Sequence, residues 1–485
     1  MRRITAGICL VAGVVSSGVP PALSEDAVQV ESALIDQATL PDAIDSKGAR
    51  PKADPSVISP AVDALPPPLL PLAAPPSLAL PDAPSQVRIH ELRPLTLEES
   101  LQLAEVNSPQ LKAAASRVDQ AKSGLRAAIA AWYPTVDLSA SGLPEYFKSY
   151  SYRNPDFVTN NETYGRQWRV NGSLQVSWDL INPARVPQIA AARDRFERAG
   201  DAYLIALRDL RLEVQTAYFA LQQSDAGVRI GQDSVKASLV SYRDARARFN
   251  AGVNTKLEVL EAETQLARDR NILTTNLRDQ NEQRRNLARV LDLPQDVTPT
   301  AATPARPMGS WEPSLQESIV AAYNYSEELD QLILDISINN SQANASLAAV
   351  QPVVRFVNST SASRTEGQNG QTSLSDIDMG DFTYGVQNST ALTASWRLFD
   401  GGRARAEYKR SKQAAEESRL NFARTRDQIR FQVESSFFGL RAAIQSLETT
   451  ATEVLASRES LRLSQLRVQA GVGVQREVVN SQRDL

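Results

Sequence analysis

Side chains that could carry enzyme chemistry are scarce in this sequence. Its 485 residues include one cysteine, Cys9, and one histidine, His90, which lies in a proline-rich stretch. Neither a catalytic triad nor a cofactor site can be assembled from this inventory, and no glycine-rich loop of the phosphate-binding kind is present. The segment Gly471-Val472-Gly473 predicts only a turn. We therefore expect no enzyme activity, no cofactor and no metal site.

The charge balance is that of an ordinary folded protein. Charged residues make up 22% of the chain, hydrophobic residues make up 42%, and the formal net charge is -4. Without an excess of basic residues the chain has no attraction for a polyanion, so nucleic acid is not an expected partner.

The first 94 residues predict an export signal followed by an unstructured arm. Residues 1–24 combine two arginines, an apolar run and a small-residue cleavage site, in the order of a secretory signal peptide. Cys9 lies within the apolar run, so the mature chain is expected to contain no cysteine and no disulfide. In residues 25–94 no apolar period persists, and twelve prolines lie between Pro51 and Pro94. We predict a disordered arm, either a tether or a segment that binds the cell envelope.

A heptad pattern of apolar residues organises the centre of the chain and predicts a coiled-coil seam. At 1.5 Å per residue, a helix beginning near Ala184 and ending near Phe249 would be roughly 100 Å long. Small residues on alternate positions of the seam indicate close side-by-side packing. The apolar positions are Tyr203, Leu207, Leu210, Val214, Ala217, Leu221, Val228, Val235, Tyr242 and Phe249, and the small ones are Ser224, Gly231, Ser238 and Ala245.

The pattern occurs twice in the chain. Residues 212–221 align with residues 431–440 at a shift of 219, and residues 97–101 align with residues 315–319 at a shift of 218. A nearly constant register over so long a unit indicates an internal duplication. We therefore predict a first repeat at 95–293, a linker at 294–313 and a second repeat at 314–485.

Each repeat contains two segments in which apolar and polar residues alternate, as in strands with one apolar face. In the first repeat the predicted strands are 134–146 and 165–180, joined by a loop at 146–164 and followed by a helical hairpin at 184–291. In the second repeat the predicted strands are 352–360 and 383–399, joined by a loop at 361–381 and followed by a hairpin from 403. The return helix of the second hairpin is cut short at Leu485.

These strands allow two interpretations. In a soluble sheet the apolar face packs on a core, whereas in an outer-membrane barrel it faces lipid and the polar face lines a water-filled lumen. No apolar run of about 18 residues follows the predicted signal, so no spanning helix is expected. The rod-like helices offer no globular core, which favours the barrel, and four strands cannot close one, so several chains would share it. The aromatic residues near the predicted strand ends, which we assign to the membrane interfaces, are Trp168, Trp178, Tyr384 and Trp396.

Three motifs, repeated in the same order, carry a resemblance to a known family. The first is the Leu-x-Glu-Ser-Leu opening at 97–101 with Asn107-Ser108-Pro109, and the second is a Ser-Trp-x-Leu strand end followed by Phe399-Asp400-Gly401-Gly402-Arg403. The third is an Ala-Gly-Val turn followed by Glu258-Val259-Leu260 in one repeat and Glu477-Val478-Val479 in the other. Each repeat resembles one half of a TolC-type outer-membrane efflux protein, and the resemblance covers the chain from Leu92 to Leu485.

The resemblance implies a mixed α and β fold, mostly α, in a homotrimer. Three chains with four strands each would form one transmembrane β-barrel in the outer membrane, continuous with a long periplasmic α-helical barrel. The channel would export passively what an inner-membrane pump delivers through a periplasmic membrane-fusion adaptor. The implied partners are these two proteins and outer-membrane lipid.

The resemblance also implies roles for the tips of the hairpins. The turns that would meet the adaptor are Ala251, Gly252, Val253, Ala470, Gly471 and Val472. A simpler interpretation is that the glycines only permit a backbone conformation with positive φ. Six residues after each turn glycine, Glu258 and Glu477 match the position of a ring of carboxylates at the periplasmic entrance, which would favour cations. Both are equally compatible with ordinary solvated carboxylates on a helix surface.

Two other classes of protein compete with an efflux or type I secretion channel. A periplasmic coiled-coil adaptor also combines a helical hairpin with β-structure, but it does not predict two duplicated strand pairs with lipid-like faces. A structural envelope protein would account for the rods and leave the strands unexplained. The sequence does not identify the exported substrate or the pump.

Overall fold

Two long helical hairpins and a four-stranded sheet dominate the structure. The computed structural model describes residues 66–485, apart from 77, 79, 90, 154–160, 254, 308 and 373–379. The predicted signal at 1–24 and most of the predicted arm at 25–94 lie outside the described residues. No helix in the described part of the chain is both long enough and apolar enough to cross a bilayer.

The N-terminal half contains four strands and four helices within the described residues. In chain order they are β1 (Glu91–Leu95), α1 (Leu97–Asn107), α2 (Pro109–Ile129), β2 (Thr135–Arg153), β3 (Asn161–Ile181), α3 (Arg185–Asn250), α4 (Lys256–Val290) and β4 (Val297–Ala301). The C-terminal half contains α5 (Leu315–Asn324), α6 (Glu327–Leu347), β5 (Val353–Thr372), β6 (Gly380–Ser395), α7 (Arg403–Gln469) and α8 (Gln475–Asp484).

The first helix of each half begins with the same cap. Thr96 accepts from the backbone N–H of Glu99, whose carboxylate accepts in turn from the backbone N–H of Thr96. Ser314 and Glu317 form the same reciprocal pair at the start of α5. Such capping boxes satisfy backbone donors that a helix start leaves unpaired.

Three of the four sheet strands are longer than predicted, and the fourth is displaced. Residues 146–153, predicted as loop, pair with residues 161–168, so β2 runs to Arg153. Likewise β5 runs to Thr372, within the predicted loop at 361–381, and β6 ends at Ser395 rather than at 399. The predicted loops were wrong because neither extension shows an alternation of apolar and polar residues: the β2 extension mixes aromatic and polar residues, and the β5 extension is polar with two glycines. Their pairing is made by backbone groups, which the side-chain pattern does not report.

The four strands form one antiparallel sheet in the order β2-β3-β5-β6. The register places Trp168 opposite Tyr146 on one side and Glu366 on the other. A shift of register between Ser141 and Glu145 marks a bulge in β2. Within the described residues β2 and β6 each have one neighbouring strand, so each leaves one edge of the sheet unpaired.

The end of the proline-rich arm is ordered, which corrects the predicted disorder there, and the predicted linker between the repeats contains a strand. A 3₁₀ turn at Pro67–Leu72 buries Leu69 and Leu72, and β1 pairs in parallel with β4, inside the predicted linker at 294–313. The amide nitrogen of Asn107 donates to the Leu72 carbonyl at 2.9 Å and to the Leu291 carbonyl at 3.2 Å. Proline lacks a backbone N–H, but the carbonyls of a proline-rich segment remain free to accept hydrogen bonds. A side chain that is distant in sequence, such as Asn107, can therefore hold the segment in place.

The predicted seam of α3 packs against α4 through much of its length. Buried positions include Tyr203, Leu210, Val214, Ala217, Leu221 and Val228, followed by the small residues Gly231, Ser238 and Ala245. A Cβ added to Gly231 would lie 3.1 Å from the side-chain nitrogen of Asn276 on α4. Small residues therefore bring the two helices together near the turn. Phe249 departs from the prediction, since 41% of it is exposed.

Candidate functional site

The two hairpin turns share one backbone geometry. Gly252 has φ of 77° and Gly471 has φ of 74°. In the first turn the N–H of Val253 donates to the Arg248 carbonyl, and in the second the N–H of Val472 donates to the Arg467 carbonyl, both at 3.0 Å. These are Schellman caps, which need a residue with positive φ. The prediction that the glycines permit such turns is confirmed.

The caps leave one apolar side chain exposed at each tip. Val253 and Val472 are both 71% exposed. A Cβ added to Gly252 or Gly471 would meet no atom within 4 Å, so the surface beside each valine is open. Each tip therefore presents a small apolar knob beside a bare stretch of backbone, which a partner protein can cover.

The structure brings the two hairpins together near these turns. The guanidinium of Arg248 donates to the Val468 carbonyl at 3.2 Å, across 220 residues of sequence. The guanidinium of Arg476 on α8 donates to a carboxylate oxygen of Glu261 on α4 at 2.6 Å. Sequence reasoning missed both contacts, because each residue alone is indistinguishable from a solvated charge on a helix surface.

The two carboxylates predicted to line an entrance differ in their surroundings. Glu477 lies 3.3 Å from the guanidinium of Arg467 in the same hairpin. The ion pair is made by its buried Oε2 atom, and the contact lacks hydrogen-bond geometry, so this oxygen accepts no hydrogen bond from any residue that the structure describes. Glu258 is half-buried, and the described residues provide it with no ion pair. The matching arginine, Arg248, bonds to the second hairpin instead.

The junctions between helix and sheet are alike in the two halves. The indole N–H of Trp178 donates to the Trp132 carbonyl at 2.9 Å, and that of Trp396 donates to the Val350 carbonyl at 3.0 Å. Each bond spans 46 residues. Both tryptophans therefore lie at the helical end of the sheet, where the chain passes from helix to strand.

The positions of the other two predicted interface aromatics change with the longer strands. Trp168 lies well inside β3 rather than at a strand end, and Tyr384 lies four residues into β6. The centroid of the Trp168 ring lies 5.0 Å from that of the Tyr146 ring on β2. At about 3.3 Å per residue, Trp168 and Trp178 are separated by roughly 33 Å along the strand. With a tilt of about 40° this spans about 25 Å, the height of the lipid-facing band of a barrel.

The sheet has one apolar and one polar face. The apolar face carries Val136, Leu138, Ala140 and Tyr146 on β2, even-numbered residues from Trp168 to Trp178 on β3, Val354, Phe356 and Ala362 on β5, and Tyr384, Val386, Leu392 and Ala394 on β6. Hydroxyl pairs cross the polar face, with Thr135 and Ser177 at 2.7 Å and Ser139 and Ser173 at 2.7 Å. One face is thus suited to an apolar environment and the other to water.

A small polar cluster interrupts the apolar face between β5 and β6. The amide of Asn388 donates to the Thr360 hydroxyl at 2.7 Å, and that of Asn358 donates to the Thr390 hydroxyl at 2.7 Å. Polar groups are costly in an apolar environment unless they are hydrogen-bonded to each other. These four side chains satisfy one another, which makes the interruption compatible with lipid.

A group of charged residues joins α3 to α6 nearer the sheet. Arg208 lies 2.6 Å from Glu328, and Arg198 lies 2.8 Å from Asp335. Between these pairs Asp201 has its pKa raised to about 7, first by burial and then by repulsion from Asp330, Glu197 and Glu327. Asp201 is therefore a carboxyl group that changes its charge near neutral pH.

Comparisons with known proteins agree with this architecture. The family model described as outer membrane efflux protein matches residues 100–292 and 319–485. Protein CyaE of Bordetella pertussis is 26% identical over 431 residues, which cover 86% of this chain and 84% of CyaE.

Two solved structures show the same fold at low identity. The Campylobacter jejuni CmeC outer membrane channel has a TM-score of 0.63 at 14% identity, with 85% of this chain and 89% of that chain covered. The outer membrane protein VceC of Vibrio cholerae has a TM-score of 0.61 at 16% identity, with 80% and 91% covered.

Proposed function

Because this chain belongs to the outer membrane efflux protein family, we propose that three copies of it share one transmembrane barrel. The observation that carries the proposal is the four-stranded sheet, in which β2 and β6 each leave an edge without a neighbour among the described residues. In lipid every backbone N–H and C=O needs a partner, so open edges are not tolerated. Pairing of β6 with β2 of the next copy satisfies both edges, and three sheets close a barrel of twelve strands.

The protein is an outer-membrane efflux channel. It passively exports substrates that an inner-membrane pump delivers through a periplasmic adaptor, as in tripartite efflux or type I secretion. The family match includes both strand pairs and both long hairpins. It therefore leaves the periplasmic adaptor and the structural envelope protein, the alternatives that the sequence allowed, without support.

The orientation follows from where the helices leave the sheet. The four long helices that adjoin the sheet, α2, α3, α6 and α7, all connect to one end of the strands, the end that carries Trp178 and Trp396. If the helices extend into the periplasm, these two residues lie at the inner interface. Trp168 and Tyr384 then lie at the outer one, the apolar face is turned to lipid and the polar face to the lumen. The two repeats of each chain contribute a strand pair and a hairpin each.

The adaptor docks at the two turns in this arrangement. Val253 and Val472 offer exposed apolar contacts, and the positive-φ glycines beside them leave backbone accessible. Glu258 and Glu477 lie six residues beyond the turn glycines, so three copies bring six carboxylates to the periplasmic entrance. Such a ring favours cations where the tunnel narrows.

The native mass of the full-length protein tests the proposal. The protein is extracted with detergent from a purified outer-membrane fraction, and its mass is measured after correction for bound detergent. We expect three chains per particle. A monomer or a dimer in that fraction would contradict the shared barrel, because the edges of β2 and β6 would then be open in lipid.

A further inference from the structure

Two cations face each other on the apolar face of the sheet, and no partner for either lies among the residues that the structure describes. Lys148 on β2 lies directly opposite Arg166 on β3, one step beyond the Tyr146 and Trp168 pair on the same face. Both side chains are exposed. The residues that the structure describes provide neither of them with an ion pair or a hydrogen bond.

A third cation on this face, in contrast, has partners within the chain. Arg364 on β5 lies opposite Tyr384. Its guanidinium is 3.2 Å from the carboxylate of Glu366 and stacks 4.9 Å from the centroid of the Phe382 ring. Arg364 is thus neutralised within the chain, whereas the described part of the chain offers no carboxylate to Lys148 or Arg166.

Like charges placed directly opposite each other on a sheet destabilise it, so this pair favours an anion between them. Its place identifies the kind of anion. The pair lies on the hairpin side of the aromatic pair, at the end of the sheet away from the helices. On the other side of Trp168, the β2 and β3 part of this face is apolar as far as Trp178. An anion held there borders the hydrocarbon layer, as the phosphate of a lipid does.

The apolar face also carries small residues between Trp168 and the helical end of the sheet. A row of small residues crosses three strands, with Ala140 opposite Gly172 and Gly172 opposite Ala362. A Cβ added to Gly172 would meet no atom within 4 Å. The row leaves room for an acyl chain to lie against the strands below the aromatic pair.

We propose that Lys148 and Arg166 together bind the phosphate of an acylated outer-leaflet lipid, whose chains lie on the apolar face between Trp168 and Trp178. This inference rests on the proposed barrel, in which that face meets lipid and the hairpin ends of the strands lie outside the cell. Arginine and lysine both form charge-assisted hydrogen bonds with phosphate. Two of them on one phosphate hold a lipid beside each copy of the chain.

Native mass spectrometry of the detergent-solubilised oligomer tests the inference. The double variant Lys148→Gln with Arg166→Gln is compared with the unchanged protein, in the presence of diphosphoryl lipid A or of the same lipid with both phosphates removed. We expect the unchanged protein to retain diphosphoryl lipid A and the double variant to retain at least about tenfold less, since hydrogen bonds to charged groups are stronger than those between neutral groups. Retention of the dephosphorylated lipid should be low in both.

Arg169→Gln is the matched control. Arg169 is the neighbour of Trp168 on the opposite face of β3, where its guanidinium lies 5.4 Å from the Phe147 ring centroid. Its variant should retain diphosphoryl lipid A like the unchanged protein. Equal loss in this variant would mean that net charge, rather than the site, governs retention, and would overturn the inference.

Three further outcomes would contradict the inference. If millimolar inorganic phosphate displaces the lipid, the pair binds a free anion and the lipid assignment is wrong. If the double variant keeps its lipid while the spectrum shows three chains, the inference fails and the barrel stands. If the spectrum shows no trimer, the barrel proposal fails and this inference fails with it.

Discussion

Arg467 holds Glu477 within one hairpin, with 3.3 Å between the guanidinium and the carboxylate. The equivalent residue of the first repeat, Glu258, lacks such a partner in the part of the chain that the structure describes. If both carboxylates line the proposed entrance, they differ in electrostatic effect, because a paired charge projects a weaker field into the tunnel than an unpaired one.

Glu258 should therefore contribute more to ion selectivity than Glu477. We expect Glu258→Gln to lower the preference for cations over anions by about twofold or more, and Glu477→Gln to lower it less, because field strength at a constriction sets selectivity. Reversal potentials of the purified channel in planar bilayers, under a salt gradient, measure both. Glu263→Gln, an exposed carboxylate on the same helix, is the control. A larger effect of Glu477→Gln would contradict the unequal roles.

The ion pair between Arg476 and Glu261 should act on the width of the tip rather than on overall stability. Both residues are partly exposed, and such pairs contribute about 0–1 kcal/mol, so Glu261→Gln should leave the melting temperature nearly unchanged. Because the pair ties α8 to α4, its loss should raise single-channel conductance.

Arg278→Gln is the control for this variant. Arg278 forms an ion pair of the same 2.6 Å length with Asp279, within one helix. This variant should leave the conductance unchanged. An unchanged conductance for Glu261→Gln as well would show that the hairpins are held together by other contacts.

The exposed valines at the tips should matter for export but not for assembly. Val253→Asp combined with Val472→Asp places charges where an apolar partner surface is expected, so export from intact cells should fall by an order of magnitude or more while the native mass stays unchanged. Val253→Thr with Val472→Thr, which keeps the shape of the side chains, should lose less. Full export by the aspartate variant would place adaptor docking elsewhere.

Among the glycines near the second tip, Gly471 and Gly473 should respond differently to alanine. A Cβ at Gly471 meets nothing, so Gly471→Ala costs only the positive-φ penalty of about 1 kcal/mol. A Cβ at Gly473 would lie 2.9 Å from the Arg467 Cβ, so Gly473→Ala should destabilise the tip further. Gly439→Ala, in mid-helix with open space around it, should stabilise α7 by about 0.5–1 kcal/mol. Hydrogen exchange at the second turn and in α7 ranks the stabilities of the three variants.

Asp201 should make stability depend on pH. Its pKa in the folded state is about 7, against an ordinary value of 3.8. Below 3.8 both states are protonated and the group has no effect. Between 3.8 and 7 the unfolded chain gives up a proton that the folded chain keeps, so the free energy of unfolding falls as the pH rises, and above 7 the loss is complete.

Asp201→Asn should therefore raise the melting temperature at pH 8 by a few degrees and leave it unchanged at pH 3.5, as followed by circular dichroism. Asp244→Asn, an exposed carboxylate on the same helix, serves as the control. If Asp201→Asn changed the melting temperature equally at both pH values, the effect would come from packing rather than from the charge of this carboxyl.

Local signals in the sequence predicted the helices, their caps and their turns. The Thr96 cap needs only Glu99 three residues later, and the turn at Gly252 needs only a residue that adopts positive φ, so both can be predicted from adjacent residues. The seam of α3 was predictable for the same reason, since a heptad repeat reports one helix face.

The features that were missed depend on partners far away in the chain. Nothing near Arg248 indicates that it donates to the Val468 carbonyl, and nothing near Leu72 indicates that its carbonyl accepts from Asn107. The polar ends of β2 and β3 lacked an apolar alternation, because backbone pairing with each other, and not burial, orders them. Pairing of Lys148 with Arg166 across the sheet likewise required the register, which the predicted loop had hidden.

The parallel pairing of β1 with β4 gives the first hairpin a fixed root. Leu291, Leu293 and Val297, directly after α4, are buried, while the other end of α4 lies at the turn. With 35 residues, α4 is a lever arm about 50 Å long. Because a helix rises 1.5 Å per residue, a tilt of only about 5° at the root of α4 would move its far end by about 4 Å. Small adjustments among buried leucines can thus be amplified into motion at the distant opening.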